Sequence, residues 1–128
     1  MIFCLYDIDE TPRTIGISSL DGMITSSYKI MKCYQGILPK FIYYLYLSID
    51  EIKGLKSFYT GLRNVVRPET FMNLKIILPP YEIQEKIVNQ LDEKNLLFSQ
   101  SIQNYKDSIK LIEEQRLLSF EQIVKGVK

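Results

Sequence analysis

The sequence predicts an α+β protein: a small antiparallel sheet with short helices, followed by a long helical region patterned to form a coiled coil. Three observations carry this. Short β-branched and aromatic runs alternate with turn residues in the first third of the chain. A double proline, Pro79-Pro80, ends the apolar run Lys75 to Leu78. Beyond it, apolar residues recur at alternating spacings of four and three, the signature of a helix that packs on another helix. The prolines therefore predict a boundary between residues 1–80 and 81–128.

In order along the chain, Ile2 to Tyr6 and Thr14 to Ser18 read as strands, with Asp7, Asp9, Glu10 and Pro12 supplying the turn between them. Asp21-Gly22 signals a second turn. Met23 to Met31 alternates loosely, with Ile24 and Tyr28 to Ile30 among polar neighbours, as a strand with one wet face does. Pro39 suits the first turn of a helix whose Phe41, Ile42, Leu45 and Ile49 form one apolar stripe. A shorter helix over Asp50 to Tyr59, closed by Gly61, is expected next. Arg67-Pro68-Glu69 then leads through Phe71 and Leu74 into a strand at Lys75 to Leu78.

The prolines lack the N–H that a ladder needs, and Glu82 and Glu85 place negative charge near the start of the following helix. Its seam consists of Leu91, Phe98, Ile102, Tyr105, Ile109, Ile112 and Ile123, with Asn95, Arg116 and Ser119 at the remaining positions. Asn95 and Arg116 are poor core residues, tolerated in a seam only opposite a suitable partner, so they favour one register. From Lys94 to Lys125 the helix would run about 45 Å. Within the chain, only Glu82 to Glu93 could cover it. A partner chain is the expected cover, most simply a second copy, and a frayed tail is the alternative.

Composition narrows the function. The 128 residues are 46% hydrophobic and 24% charged, and no apolar run approaches the roughly 20 residues that span a bilayer. The first ten residues lack the positive flank of a secretory signal, so a cytoplasmic protein without membrane association is expected. Cys4 and Cys33 have no metal-site spacing and are expected as reduced core residues. The net charge is +1, too small for binding to nucleic acid by charge alone. Locally, Lys53, Lys56, Arg63, Arg67 and Lys75 face only Glu69 in sequence, which suits either a solvated surface or phosphate contacts.

Catalytic parts are missing from the pattern. The chain has no histidine, no glycine-rich phosphate loop and no ligand set for zinc, so no metal, cofactor or catalytic residue is expected. Leu78-Pro79-Pro80-Tyr81 looks like the Asn/Asp-Pro-Pro-Tyr/Phe signature of amino-methyltransferases. Leu78 breaks that pattern, because leucine cannot accept the hydrogen bonds of a flipped base's amino group.

Several stretches together resemble the specificity subunit of type I DNA restriction-modification systems. IGISSLDGMITSSY, from Ile15 to Tyr28, is similar to a strand, turn and strand of its target-recognition domain. LPKFIYYLYLS, from Leu38 to Ser48, is similar to the aromatic helix that follows. Thr60 to Lys94 resembles the most specific stretch, a Gly-x-Arg-type loop and then Pro-Pro-Leu-Glu-Glu-Gln before a helix. Here Tyr81 stands for the usual leucine and Ile83 for the second glutamate, with Gln84 in place. Such subunits carry two recognition domains and two helical regions, so this chain resembles the last part of one half.

The resemblance implies a non-catalytic protein that reads double-stranded DNA within a complex and docks methyltransferase subunits on its helices. It also implies that helices set the spacing between two recognition domains. Candidate DNA contacts are Arg13, Thr25, Ser26, Ser27, Lys56, Thr60, Arg63, Asn64 and Arg67, whose guanidinium, amide, ammonium and hydroxyl groups suit phosphates and base edges. Arg63 stands out beside Gly61, although an ion pair with Glu69 is an equal expectation. The alternative function is an assembly module that dimerises through its seam and binds no DNA.

Overall fold

The computed structural model describes residues 1–8, 10–11 and 13–126, and it divides into two units, Met1–Val88 and Asn89–Lys128. In the first unit, β1 (Ile2–Cys4), β2 (Ile15–Gly16) and β3 (Tyr28–Ile30) form an antiparallel sheet in the order β2-β1-β3. Phe3 lies opposite Ile15 on one side and Lys29 on the other. The expected α+β class and antiparallel sheet are therefore present. The strands are shorter than expected.

β3 begins only at Tyr28. The preceding residues turn instead, with Tyr28 N–H donating to Thr25 C=O at 3.2 Å, and Met23 is fully exposed. Loose alternation had too little apolar content here to hold a full strand against the core. Between β1 and β2 the turn is built on Asp7, whose φ of 48° lets its carbonyl accept from both Glu10 and Thr11 at 3.0 Å. The other two residues assigned to that turn, Asp9 and Pro12, lie outside the described residues.

α1 (Pro39–Glu51) starts where expected, with proline in its first turn. Phe41, Ile42, Tyr46 and Asp50 are its buried residues, whereas Leu45 and Ile49 are half-buried. The buried stripe is thus shifted from the expected one toward Tyr46 and Asp50. Asp50 explains the shift: its Oδ2 accepts from Thr14 N–H at 2.9 Å, and Lys53 Nζ donates to its Oδ1 at 3.3 Å. A buried carboxylate so partnered can occupy a position that an apolar stripe would otherwise take.

No separate α-helix covers Asp50 to Tyr59. Lys53, at φ 49°, breaks the helix, and Gly54 N–H closes back on Ile49 C=O at 2.8 Å. A Cβ at Gly54 would lie 3.1 Å from Ile49 Cγ2, so the close return favours glycine. A single 3-10 turn, Lys56–Phe58, follows. Next come α2 (Pro68–Met72) and the extended segment to the prolines.

Lys75 to Leu78 is not a strand. Leu74 and Ile76 are half-buried beside the core while Lys75 and Ile77 face solvent, so the alternation is present without a ladder. Apolar patterning specifies a face, but a strand also needs a neighbouring edge for its backbone groups. The prolines consequently end no ladder. Pro80 instead opens α3 (Tyr81–Gly126), its C=O accepting from Ile83 and Gln84 N–H at 2.9 and 3.1 Å.

The core of the first unit centres on Phe3, Tyr46 and Phe71, whose ring centroids lie 4.9–5.4 Å apart. Leu5, Ile8, Ile15, Phe41, Ile42, Leu55, Val66 and Val88 complete it. Edge-to-face and tilted packing of this kind adds to the burial of apolar area. α3 is a single helix of 46 residues, so Glu82 to Glu93 cannot fold back over the seam as a separate helix.

Candidate nucleic-acid interface and docking helix

Antiparallel pairing brings two of the expected contact segments to the end of the sheet where β1 finishes, and backbone hydrogen bonds just beyond β1 bring a third. Cys4 N–H donates to Thr14 C=O at 2.8 Å, which places Arg13 just beyond that end. Tyr28 lies opposite Cys4, which places Thr25, Ser26 and Ser27 there too. The chain continuing from β1 is tied to a third segment, because Val66 N–H donates to Leu5 C=O at 3.0 Å and Asp7 N–H to Arg63 C=O at 3.1 Å.

That third segment is a tight hairpin. Thr60 and Val65 form a two-way bridge, with N···O distances of 2.8 and 3.3 Å, and Thr60 Oγ1 also donates to Val65 C=O. Gly61 at φ 72° and Asn64 at φ 47° provide the left-handed backbone that the turn requires. Arg63 and Asn64 sit exposed on it, and Arg67 precedes α2 as its N-cap residue. Arg63 and Glu69 form no ion pair among the described residues. Lys56 is exposed at the start of the 3-10 turn.

Two cations of the region are engaged differently. Lys53 Nζ donates to Ile8 C=O, Thr11 C=O and Asp50 Oδ1 at 3.2–3.3 Å, so it pins the Asp7 turn to the end of α1. This role was not legible in the sequence, because Lys53 and Ile8 are 45 residues apart. Arg13 lines a cleft of about 390 Å³ with Glu10, Asp50 and Glu51. Lys53 lines the same cleft and is paired with Asp50, so Glu10 and Glu51 are the carboxylates that oppose phosphate near Arg13. Lys56, Arg63 and Arg67 remain exposed.

On the second unit the seam lies open. Phe98, Ile102, Tyr105, Ile109, Ile112 and Ile123 are each more than half exposed, and Leu91 is half-buried. The helix also exposes Leu96, Leu97, Leu111, Leu117, Leu118, Phe120 and Val124, which the seam reading omitted. Their positions flank the four-three track rather than lying on it, so a search for the track alone passes over them. Leu117, Phe120 and Val124 line a shallow cleft of about 420 Å³ beside the end of the seam. Arg116 lies over the Phe120 ring, 5.5 Å from its centroid.

Burial raises the Cys33 thiol above its ordinary range, partly opposed by the N-terminal ammonium group, and it raises Tyr46. Cys4 and Cys33 are both free thiols. Among the described residues no cluster of three or more His, Cys, Asp or Glu could hold a metal ion. No helix among them is long and apolar enough to cross a membrane. No protein-family model, curated protein or solved structure matches the chain.

Proposed function

We propose that the chain is a fragment of a DNA-recognition (specificity) subunit of a type I restriction-modification system, acting in the cytoplasm as a non-catalytic component. Its long helix docks other protein chains, methyltransferase subunits among them, and its first unit contributes part of a DNA-reading surface. The observation that carries the docking role is the open seam, since a soluble protein rarely leaves so long an apolar row without a partner. DNA reading is supported by the sequence resemblance and by the convergence of Thr25 to Ser27 with the Arg63 hairpin at one end of the sheet.

The second reading is an assembly module that dimerises and binds no DNA. The engagement of Lys53 and the carboxylates around Arg13 favour it, because both reduce the cationic surface available to phosphate. Co-expression with methyltransferase subunits of a type I system, followed by retention on duplex DNA from a random library, separates the two. The first reading expects co-purification and retention that falls steeply with salt. Failure to co-purify, together with no retention at low salt, overturns it.

A further inference from the structure

We propose that Lys53 is a positioning residue for DNA reading: its ammonium holds the turn that leads into Arg13, so that Arg13 is presented to a guanine edge. The inference rests on the DNA-reading role given to the first unit and adds to it a residue that itself touches no DNA. Its basis is a lysine in a backbone position that suits glycine, with its side-chain donors engaged inside the protein.

α1 ends in a closing turn in which Gly54 N–H returns to Ile49 C=O at 2.8 Å and Lys53 N–H to Asp50 C=O at 2.9 Å. In that closure the residue after the C-cap, Ile52, takes the left-handed conformation, where glycine is usual because it has no Cβ to clash. Here the residue is Lys53, at φ 49°. Strain of this kind persists only where the surroundings over-determine it, and it gathers at functional positions. The surroundings do so: Nζ donates to Ile8 C=O, Thr11 C=O and Asp50 Oδ1 at 3.2–3.3 Å, which uses the three donors of an ammonium group. None is left for a phosphate.

The Lys53–Asp50 ion pair holds the chain on both sides of Arg13. Before it, Thr11 C=O accepts from Lys53; after it, Thr14 N–H donates to Asp50 Oδ2 at 2.9 Å. Asp50 is 4% exposed whereas Arg13 faces solvent, so a buried anchor supports an outward guanidinium. Glu10 and Glu51, in the same cleft, disfavour a phosphate as the partner of Arg13. Guanine presents O6 and N7 as two acceptors without net charge, and a guanidinium fork matches both. That match needs a fixed direction of approach, which an unsupported loop does not supply.

Two substitutions test the role. Lys53→Met removes the ammonium and keeps most of the stem, and Lys53→Gly removes it while relieving the left-handed backbone. Both should stay folded by circular dichroism, and amide exchange at Glu10 and Thr11, whose N–H groups donate to Asp7 C=O, should quicken by about tenfold or more. With the full chain co-purified with type I methyltransferase subunits, duplexes selected from a random library should carry a guanine preference that Arg13→Ala abolishes. Either Lys53 variant should weaken that preference by about tenfold and leave the salt slope of retention unchanged. A slope lowered by about one with the preference intact would make Lys53 a phosphate contact and overturn the proposal. Unchanged exchange at Glu10 and Thr11, or the lack of a preference that depends on Arg13, would overturn it too, as would loss of folding in both variants, which makes Lys53 structural only. If the wild-type complex is not retained on DNA, the specificity-subunit reading falls and this inference with it. Retention with an unchanged preference in the Lys53 variants strikes the inference alone.

Discussion

Gln84 Oε1 accepts a hydrogen bond from Leu38 N–H at 2.8 Å, across 46 residues of sequence. Its Nε2 donates to Gly36 C=O at 3.2 Å and Pro79 C=O at 2.9 Å. The side chain is 1% exposed and so joins the start of α3 to the start of α1 from within the first unit. One amide thus satisfies a backbone donor and two backbone acceptors that burial would otherwise leave costly.

Gln84→Ala is expected to destabilise the first unit by about 2–4 kcal/mol, since the orphaned Leu38 N–H alone costs about 1–3 kcal/mol. Urea unfolding followed by tyrosine fluorescence should show a lower midpoint. Gln84→Leu, which keeps the volume and removes the partners, should be no more stable than Gln84→Ala by more than about 1 kcal/mol. A wild-type midpoint in either variant would contradict the role given to the amide.

Asp50 holds a second long-range join, between α1 and the start of β2. Asp50→Ala should cost about 2–3 kcal/mol, the scale of lost hydrogen bonds to a charged group. Hydrogen exchange should then rise at Thr14, whose N–H donates to that carboxylate. Unchanged protection there would contradict the assignment.

The Cys33 thiol has a folded-state pKa raised by burial, so the folded protein prefers its neutral form. Its contribution to stability is therefore full below the ordinary thiol pKa and is lost as pH rises from there through the raised folded-state value. Alkylation of folded protein at mildly alkaline pH should modify Cys33 more slowly than the same thiol in urea, as read by peptide mass. Equal rates would contradict the burial effect.

Arg63→Ala is expected to leave stability within about 0.5 kcal/mol, because its side chain is exposed. If the hairpin meets phosphate, the salt dependence of DNA retention should fall by about one unit of slope. A large loss of stability without a change in slope would make Arg63 a structural residue instead.

Much of this fold is written locally. Pro39 and Pro80 mark helix starts, and the four-three track announces a long packing helix over residues where α3 indeed runs. Lys75 to Leu78 misled because its alternation specifies an inward face at Leu74 and Ile76 and says nothing about a pairing edge. The buried positions of Asp50 and Gln84 depend on partners 36 and 46 residues away, beyond any local pattern. Convergence of the Arg63 hairpin with Thr25 to Ser27 likewise follows from the pairing of β1 with β3 and from the backbone bonds of Leu5 and Asp7 to the hairpin, which no local pattern announces.

The mass of the purified chain in solution, by sedimentation equilibrium, tests most directly the claim that the seam exists to bind another helix. A dimer is expected at micromolar concentration, and Ile109→Asp, which buries a charge at a central layer, should shift it to monomer. A monomer whose residues 91–123 nevertheless resist hydrogen exchange would contradict the claim.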